Sequence, residues 1–130
     1  MRAVDTNLIV RVFAEDDPEQ ADIAYGVLAV DSVFLPKTVM LEFEWVMRSV
    51  YRKPVAAIAD AIERMLETAN VQVEDQAVVT RAVAWFRRGM DFGDALHLAS
   101  SAHADGFVTF DIDLRRQAAR FGVKPPVVAP

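Results

Sequence analysis

Apolar positions along this chain follow two spacings: the three-to-four-residue recurrence of buried helix faces, and short unbroken runs of strand length. Ala3 and Val4 form the first run and lead directly into Asp5. Leu8, Ile9, Val12 and Phe13 then recur at helical spacing, with Asn7 placed to cap a helix beginning near Leu8. Glu15-Asp16-Asp17-Pro18 interrupts that pattern and opens a second helix, with Pro18 in its first turn and Ala21, Ala24, Tyr25, Leu28 and Ala29 as its apolar face. Val33-Phe34-Leu35-Pro36 reads as a buried strand stopped by proline.

From Thr38 to Tyr51 the pattern is apolar nearly all round, with Val39, Met40, Leu41, Phe43, Trp45, Val46, Met47 and Val50, so a buried helix is expected. Two acids interrupt it. Glu42 and Glu44 differ by roughly 200° around a helix, so only one can share the most buried line. Glu44 stands four residues before Arg48 and has an ordinary explanation as a surface pair. Glu42 shares its face with Val46, and an unpaired carboxylate there costs several kcal/mol unless it finds a partner or a metal.

The second half repeats the alternation. Pro54 to Thr68 reads as an amphipathic helix and Val71-Gln72-Val73 as a short strand. Asp75 is placed to cap a helix through Ala77, Val78, Ala82, Val83 and Phe86 that ends near Gly89. Asp91-Phe92-Gly93-Asp94 opens an alanine-rich helix through Ala102, ending at Asp105-Gly106. Phe107 to Phe110 is a strand signal followed at once by Asp111-Ile112-Asp113 and a helix that Gly122 ends, and Val127-Val128 can add an edge strand. Strands alternating with helices predict an α/β fold, a three-layer α/β/α sandwich with a mainly parallel central sheet of four to five short strands. No repeat or linker divides the chain, so residues 1–130 are expected to form one domain. Its 130 residues suffice for a real core.

Composition narrows the chemistry. Without cysteine there is neither a disulfide nor a thiolate metal site, and a reducing, cytoplasmic setting is the simplest fit. Asp5 and Arg11 interrupt the first apolar stretch and Asp31 ends the run from Ile23 to Val30, so neither a targeting segment nor a membrane span is expected. The net charge of -5 is opposite to that of a passive nucleic-acid binder, unless bound cations invert the potential of an acidic site.

Each acid also has a plain structural reading. Asp5 can be a turn or cap residue; Asp91 can be an N-cap, with Asp94 three positions on in capping-box spacing. Asp94 in a first turn gains roughly 0.3–1 kcal/mol from the helix dipole. Asp111 and Asp113 straddle a helix start, so one of them is a natural cap. His97 follows Asp94 by three residues, but Leu96, Leu98 and Ala99 beside it favour a packed or hydrogen-bonding histidine over a metal ligand.

Taken together, Ala3-Val4-Asp5-Thr6-Asn7, the Glu42 segment from Val39 to Arg48, Asp91 to Ala99, and Val108-Thr109-Phe110-Asp111 resemble the four acidic motifs of the PIN-domain nucleases. They occur in family order and span the chain nearly end to end. Within that family the chain is most similar to VapC-like toxins of type II toxin–antitoxin systems. The resemblance implies that Asp5, Glu42, Asp94 and Asp111 are the catalytic, metal-binding acids, with Asp113 a fifth candidate. Thr6, Asn7 and Thr109 match the supporting polar residues, and Asp91 matches an acid preceding the third motif. It further implies hydrolysis of single-stranded or structured RNA, a homodimer, and a cognate antitoxin that blocks the acids.

Hard oxygen donors suit Mg²⁺ or Mn²⁺, and Mg²⁺ needs only one or two carboxylates, keeping several waters. Two carboxylates about 5 Å apart repel by roughly 3 kcal/mol at an effective dielectric of 20, a strain that a divalent ion relieves. With acids and no cysteine nucleophile, water attack on a phosphodiester is the expected reaction. Arg48, Arg52, Arg87 and Arg88 are candidate backbone contacts, with solvated surface positions as the alternative. Two rival readings remain. A PIN-like domain kept only for binding would retain the fold. A phospho-acceptor receiver would use Thr109 and Lys124-Pro125, but it lacks paired acids after the first strand and an acceptor aspartate after the third, where Glu74-Asp75 follows Val73.

Overall fold

A computed structural model describes residues 1–30 and 32–130. Asp31, the acid that ends the apolar run from Ile23, lies outside the described residues. The chain divides into two compact units, Met1–Gln76 and Ala77–Pro130.

The first unit contains β1 (Arg2–Ala3), α1 (Thr6–Ala14), α2 (Pro18–Val30), β2 (Val33–Leu35), α3 (Lys37–Ser49), α4 (Val55–Glu67) and β3 (Val71–Val73). Its strands pair in parallel in the order β1-β2-β3, with Ala3 opposite Phe34 and Phe34 opposite Gln72. The opening strand is thus fastened, as an acid placed immediately after it requires. It begins one residue earlier than the expected Ala3-Val4, and Val4 still donates its N–H to the Phe34 carbonyl at 3.2 Å. Val33 and Leu35 are buried beneath the apolar faces of α1 and α4, which supply Ile9, Val12, Ile58, Ile62 and Met65. Phe13 meets Phe43 edge to face at 5.6 Å, and the Arg64 guanidinium lies 5.7 Å from the Phe13 ring centre.

Two N-terminal expectations change. Asp5, not Asn7, caps α1, because the helix starts at Thr6. Asp75 adopts φ +48°, and its carboxylate meets Lys37 Nζ at 2.7 Å, while Glu74 Oε1 accepts from the Lys37 N–H at 2.8 Å, so this corner is tied to the start of α3.

Helix α3 reverses the reading of its two acids. Its buried line is Met40, Phe43, Glu44 and Met47, the i, i+3, i+4, i+7 stripe, and Glu44 falls inside it. Glu44 is 2% exposed, and its carboxylate takes Arg48 Nε at 2.8 Å and Nη2 at 3.4 Å. The i,i+4 pair is therefore present but its acid is buried, whereas Glu42 is exposed and needs no partner. Nor is the helix buried all round: Leu41, Trp45 and Val50 stand on its open side.

Where α3 runs out, Tyr51 donates its hydroxyl to Asp16 Oδ2 at 2.9 Å, and Arg11 Nη1 meets Asp16 Oδ1 at 2.9 Å. The Tyr51 hydrogen bond, with lesser help from Arg11, holds the Asp16 carboxyl below its ordinary range. The same contact with Asp16 raises both the Tyr51 phenol and the Arg11 guanidinium. Because the Asp16 pKa is lowered on folding, its contribution is present above the unfolded value and is lost as pH falls through the folded one.

The second unit contains α5 (Gln76–Arg87, which starts at the boundary), α6 (Phe92–Ser100), β4 (Phe107–Val108), α7 (Ile112–Phe121) and β5 (Val127–Val128). Strands β4 and β5 pair in parallel, Phe107 opposite Val127. Phe86 packs on Phe92 at 5.3 Å, over Met90, Leu96, Leu98 and Leu114. Helix α6 ends at Ser100, two residues short of Ala102, where Ser101 hydrogen-bonds back to the His97 carbonyl at 2.7 Å. Gly122 ends α7 at φ +65°, a conformation that suits glycine. Of the four to five short strands expected, five are present among the described residues, all paired in parallel, with hydrogen bonding dividing them three and two. Among the described residues no helix is long and apolar enough to cross a membrane.

Arg48→Met is expected to lower stability by about 1–3 kcal/mol, because it leaves the buried Glu44 carboxylate without its guanidinium. Glu44→Leu combined with Arg48→Met should recover most of that loss. Urea unfolding midpoints measure both, and an Arg48→Met midpoint equal to that of the parent chain would contradict the assignment.

Candidate acidic site

Short strands that run straight into helices put carboxylates where the first N–H groups of a helix need acceptors. Asp5 follows β1 and accepts from the Thr6 N–H through Oδ1 at 2.7 Å. Asp91 precedes α6 and accepts from the Asp94 N–H through Oδ2 at 3.0 Å. Asp111 follows β4 and accepts from the Leu114 N–H through Oδ1 at 3.0 Å. The capping roles weighed for all three are therefore real. In each case one carboxylate oxygen is used by the helix, and the side chain remains exposed.

Asp94 differs from the caps. It lies in the first turn of α6, half-buried, and its carboxyl is raised above the usual carboxylate range. Burial is the leading cause, followed by the charges of Asp91 and then Asp111, and His97 opposes them. The structure thus gathers Asp91, Asp94 and Asp111 into one electrostatic group inside the second unit. Asp113 does not act on Asp94; it is exposed in the first turn of α7, beside Arg116, Gln117 and Arg120. Of the two acids after β4, Asp111 is the one that Asp94 feels.

The turn carrying Asp111 is tied on both sides. Thr109 Oγ1 accepts from the Asp111 N–H at 3.1 Å, the Thr109 carbonyl accepts from Arg115 Nη1 at 2.9 Å, and the Thr109 N–H donates to the Val128 carbonyl at 3.0 Å. Thr109 therefore supports the turn as expected, while Arg115 went unnoticed in the sequence. Its only signal there is its place four residues after Asp111, in reach of the turn once the helix forms.

In the first unit, Asp5 and Glu42 are both exposed. Thr6 is 2% exposed, and its hydroxyl has no hydrogen-bond partner among the described residues, an orphaned polar atom of the kind that accompanies functional sites. Asn7 is exposed and lines an open groove with Leu8, Arg11, Gln20 and Ile23. His97 is exposed, with its ring stacked 6.5 Å from that of Phe107. Of the four candidate arginines, Arg48 is engaged by Glu44 and Arg88 lies 3.9 Å over the Phe121 ring, while Arg52 and Arg87 are exposed.

The donor chemistry fits a hard divalent cation. Asp94 and Asp111 offer carboxylate oxygens; burial, and after it the charges of Asp91 and Asp111, disfavours the ionised Asp94, a cost that a cation would relieve. Among the described residues no group of three or more acidic, histidine or cysteine side chains is placed to hold a metal ion. Mg²⁺ needs only one or two protein carboxylates, which Asp94 and Asp111 can supply, and keeps several waters.

No curated protein matches the chain. The sequence model of the PIN domain family matches residues 2–120, crossing the boundary between the two units and taking in every acid described above. With α/β elements and parallel strands consistent with that three-layer α/β/α, nuclease-type fold, the chain belongs to the PIN domain family.

Proposed function

We propose that the chain is a metal-dependent endoribonuclease that hydrolyses phosphodiester bonds of RNA in the cytoplasm, as the toxin of a toxin–antitoxin pair. The observation that carries this reading is the placing of Asp91 and Asp94 at the start of α6 and Asp111 at the start of α7, with Asp94 half-buried and under the charges of the other two. Such like-charge crowding on helix N-termini is costly for a merely structural cluster and useful for holding a cation and a phosphate. On this reading Asp5, Glu42, Asp94 and Asp111 are the catalytic acids. Thr6, Asn7 and Thr109 support them, and Asp91 and Asp113 take secondary parts.

Mg²⁺ or Mn²⁺, when bound, would supply Lewis-acid stabilisation of the phosphoryl oxygen and lower the pKa of a water. The chain's own residues do the rest. Asp94 and Asp111 would hold the ion, Thr109 and Arg115 fix the turn that presents Asp111, and the helix N–H groups hold Asp5, Asp91 and Asp111 in one rotamer. The orphaned Thr6 hydroxyl has a free donor and acceptor to offer a water.

The exposed apolar side of α3, with Trp45 54% and Leu41 38% exposed, favours a protein partner, which we assign to a second copy of the chain. The cognate antitoxin would then cover the acids and suppress cleavage.

On a defined RNA, the parent chain is expected to cleave with Mg²⁺ or Mn²⁺ and not with EDTA. Asp5→Asn or Asp94→Asn should each lose about 100-fold or more. Cleavage unchanged by both substitutions would reject the mechanism.

Stability gives a readout independent of activity. Because the Asp94 pKa is raised on folding, its ionised form costs stability above the folded value, and that cost disappears as pH falls toward the unfolded one. Metal-free Asp94→Asn should therefore be as stable as the parent or more so at pH 7, with the advantage shrinking toward pH 4. Denaturant midpoints across that range measure it, and an advantage that grows on acidification would contradict the crowding.

Size-exclusion measurements over a range of concentrations should show a dimer that Trp45→Glu converts to monomer. A strict monomer at high concentration would remove the dimer from the proposal.

A further inference from the structure

Phe110 is 85% exposed, the most exposed large apolar side chain among the described residues, and it immediately precedes Asp111. Val108 and Ile112, two residues to either side, are 61% and 52% exposed, so the strand-to-helix turn presents an apolar tip to water. A ring left in solvent forgoes the stabilisation that burial would give it. Mobility does not explain the exposure, because the turn is tied at each end. The Thr109 N–H donates to Val128, the Thr109 carbonyl accepts from Arg115, and Asp111 binds the Thr109 hydroxyl through its N–H and the Leu114 N–H through its carboxylate. The ring is held out by the backbone on both sides of it.

Charge indicates what meets it. The second unit carries seven Lys and Arg against five Asp, whereas the first carries seven against 14 acidic residues. Down α7 from Phe110, Arg116 and Arg120 stand one turn apart, about 6 Å along the axis, and Lys124 follows the helix. All three are exposed and have no ion pair among the described residues. An apolar ring at the head of a helix whose later turns carry cations without an ion pair complements a polyanion with exposed aromatic faces. Single-stranded RNA offers both, whereas in a duplex the base faces are occupied.

We propose that Phe110 is a stacking platform for one unpaired nucleobase of single-stranded RNA, lying beside Asp111 with the RNA backbone directed along the cationic side of α7. This rests on the ribonuclease reading above and adds to it how an unpaired base is engaged. The phenyl face supplies stacking and no hydrogen bond, so the contact selects an unpaired base of any identity, and sequence preference must come from elsewhere.

The experiment is fluorescence anisotropy of the full chain with a labelled single-stranded oligoribonucleotide in EDTA, where binding is read without cleavage. Phe110→Ala should weaken binding about 10-fold. Phe110→Leu, which keeps bulk but loses the aromatic face, should lose as much, and Phe110→Trp should bind as the parent does. In oligonucleotides carrying one abasic nucleotide at successive positions, the difference between the parent and Phe110→Ala should vanish at one position. Because Phe110 touches no core, these variants keep the fold. Phe110→Leu binding as tightly as the parent overturns the proposal, as does an equal loss on duplex RNA. Unchanged RNA binding by Phe110→Ala, with a shift from dimer to monomer on size exclusion, overturns it in favour of a protein contact. A parent chain that binds RNA with these dependences yet cleaves nothing with Mg²⁺ supports the stacking site and rejects the ribonuclease reading. Cleavage abolished by Asp5→Asn but indifferent to every Phe110 substitution, in binding and in KM, does the reverse.

Discussion

A helix begins with N–H groups that have no partner inside the helix, and in this chain aspartates arriving from short strands and turns satisfy them. Asp5, Asp91 and Asp111 each give one oxygen to a helix start. That contact fixes the carboxylate beside the positive end of a helix dipole. It also commits the remaining oxygen to face outward. Within each unit the same local requirement holds: α1 cannot begin as it does without presenting Asp5, nor α6 and α7 without presenting Asp91 and Asp111. Asp94 is the residue on which the arrangement bears. Sitting in a first turn that Asp91 already caps, it gains proximity to two like charges and loses solvent, and its carboxyl rises.

Helix α3 shows the opposite use of an acid. Glu44 lies in the buried stripe with Met40, Phe43 and Met47, and Arg48 reaches back one turn to pair with it. A buried carboxylate without a partner is costly, so the Arg48 pairing lets Glu44 occupy the stripe that packing turns inward. That rotation exposes Glu42 as a free carboxylate and turns Leu41 and Trp45 outward. The packing that this pairing permits therefore leaves Glu42, and the apolar face of Leu41 and Trp45, on the open side. The Asp16, Tyr51 and Arg11 contacts act similarly where α3 ends, holding the loop after α1 to the residue that follows the helix.

The two units differ in electrostatic character. The first is rich in acids, the second has a cationic helix beginning at Asp111, and the exposed ring of Phe110 stands at that junction of charge and apolar surface. An overall charge of -5 conceals this, and for a protein proposed to act on a polyanion the local distribution matters more than the total.

The sequence by itself determined the order and kind of the elements. Turn residues and apolar periodicity are local signals, so Pro18, Pro36 and Gly122 marked boundaries that the structure keeps, and Asp91 was recognisable as a cap from its spacing to Asp94. The four acidic segments were legible for the same reason, each being contiguous. What only tertiary structure decided is which side of an element faces inward. Val39, Glu42 and Val46 form as credible an apolar line on paper as Met40, Phe43 and Met47, and packing against neighbouring elements selected the second, burying Glu44 and freeing Glu42. Likewise nothing local distinguishes Asp111 from Asp113; the fold decides by bringing the charge of the first, and not the second, to bear on Asp94. Phe110 reads in sequence as the end of a strand. Its exposure arises because β4 stops at Val108 and the Thr109 contacts turn the chain outward before the ring can be covered.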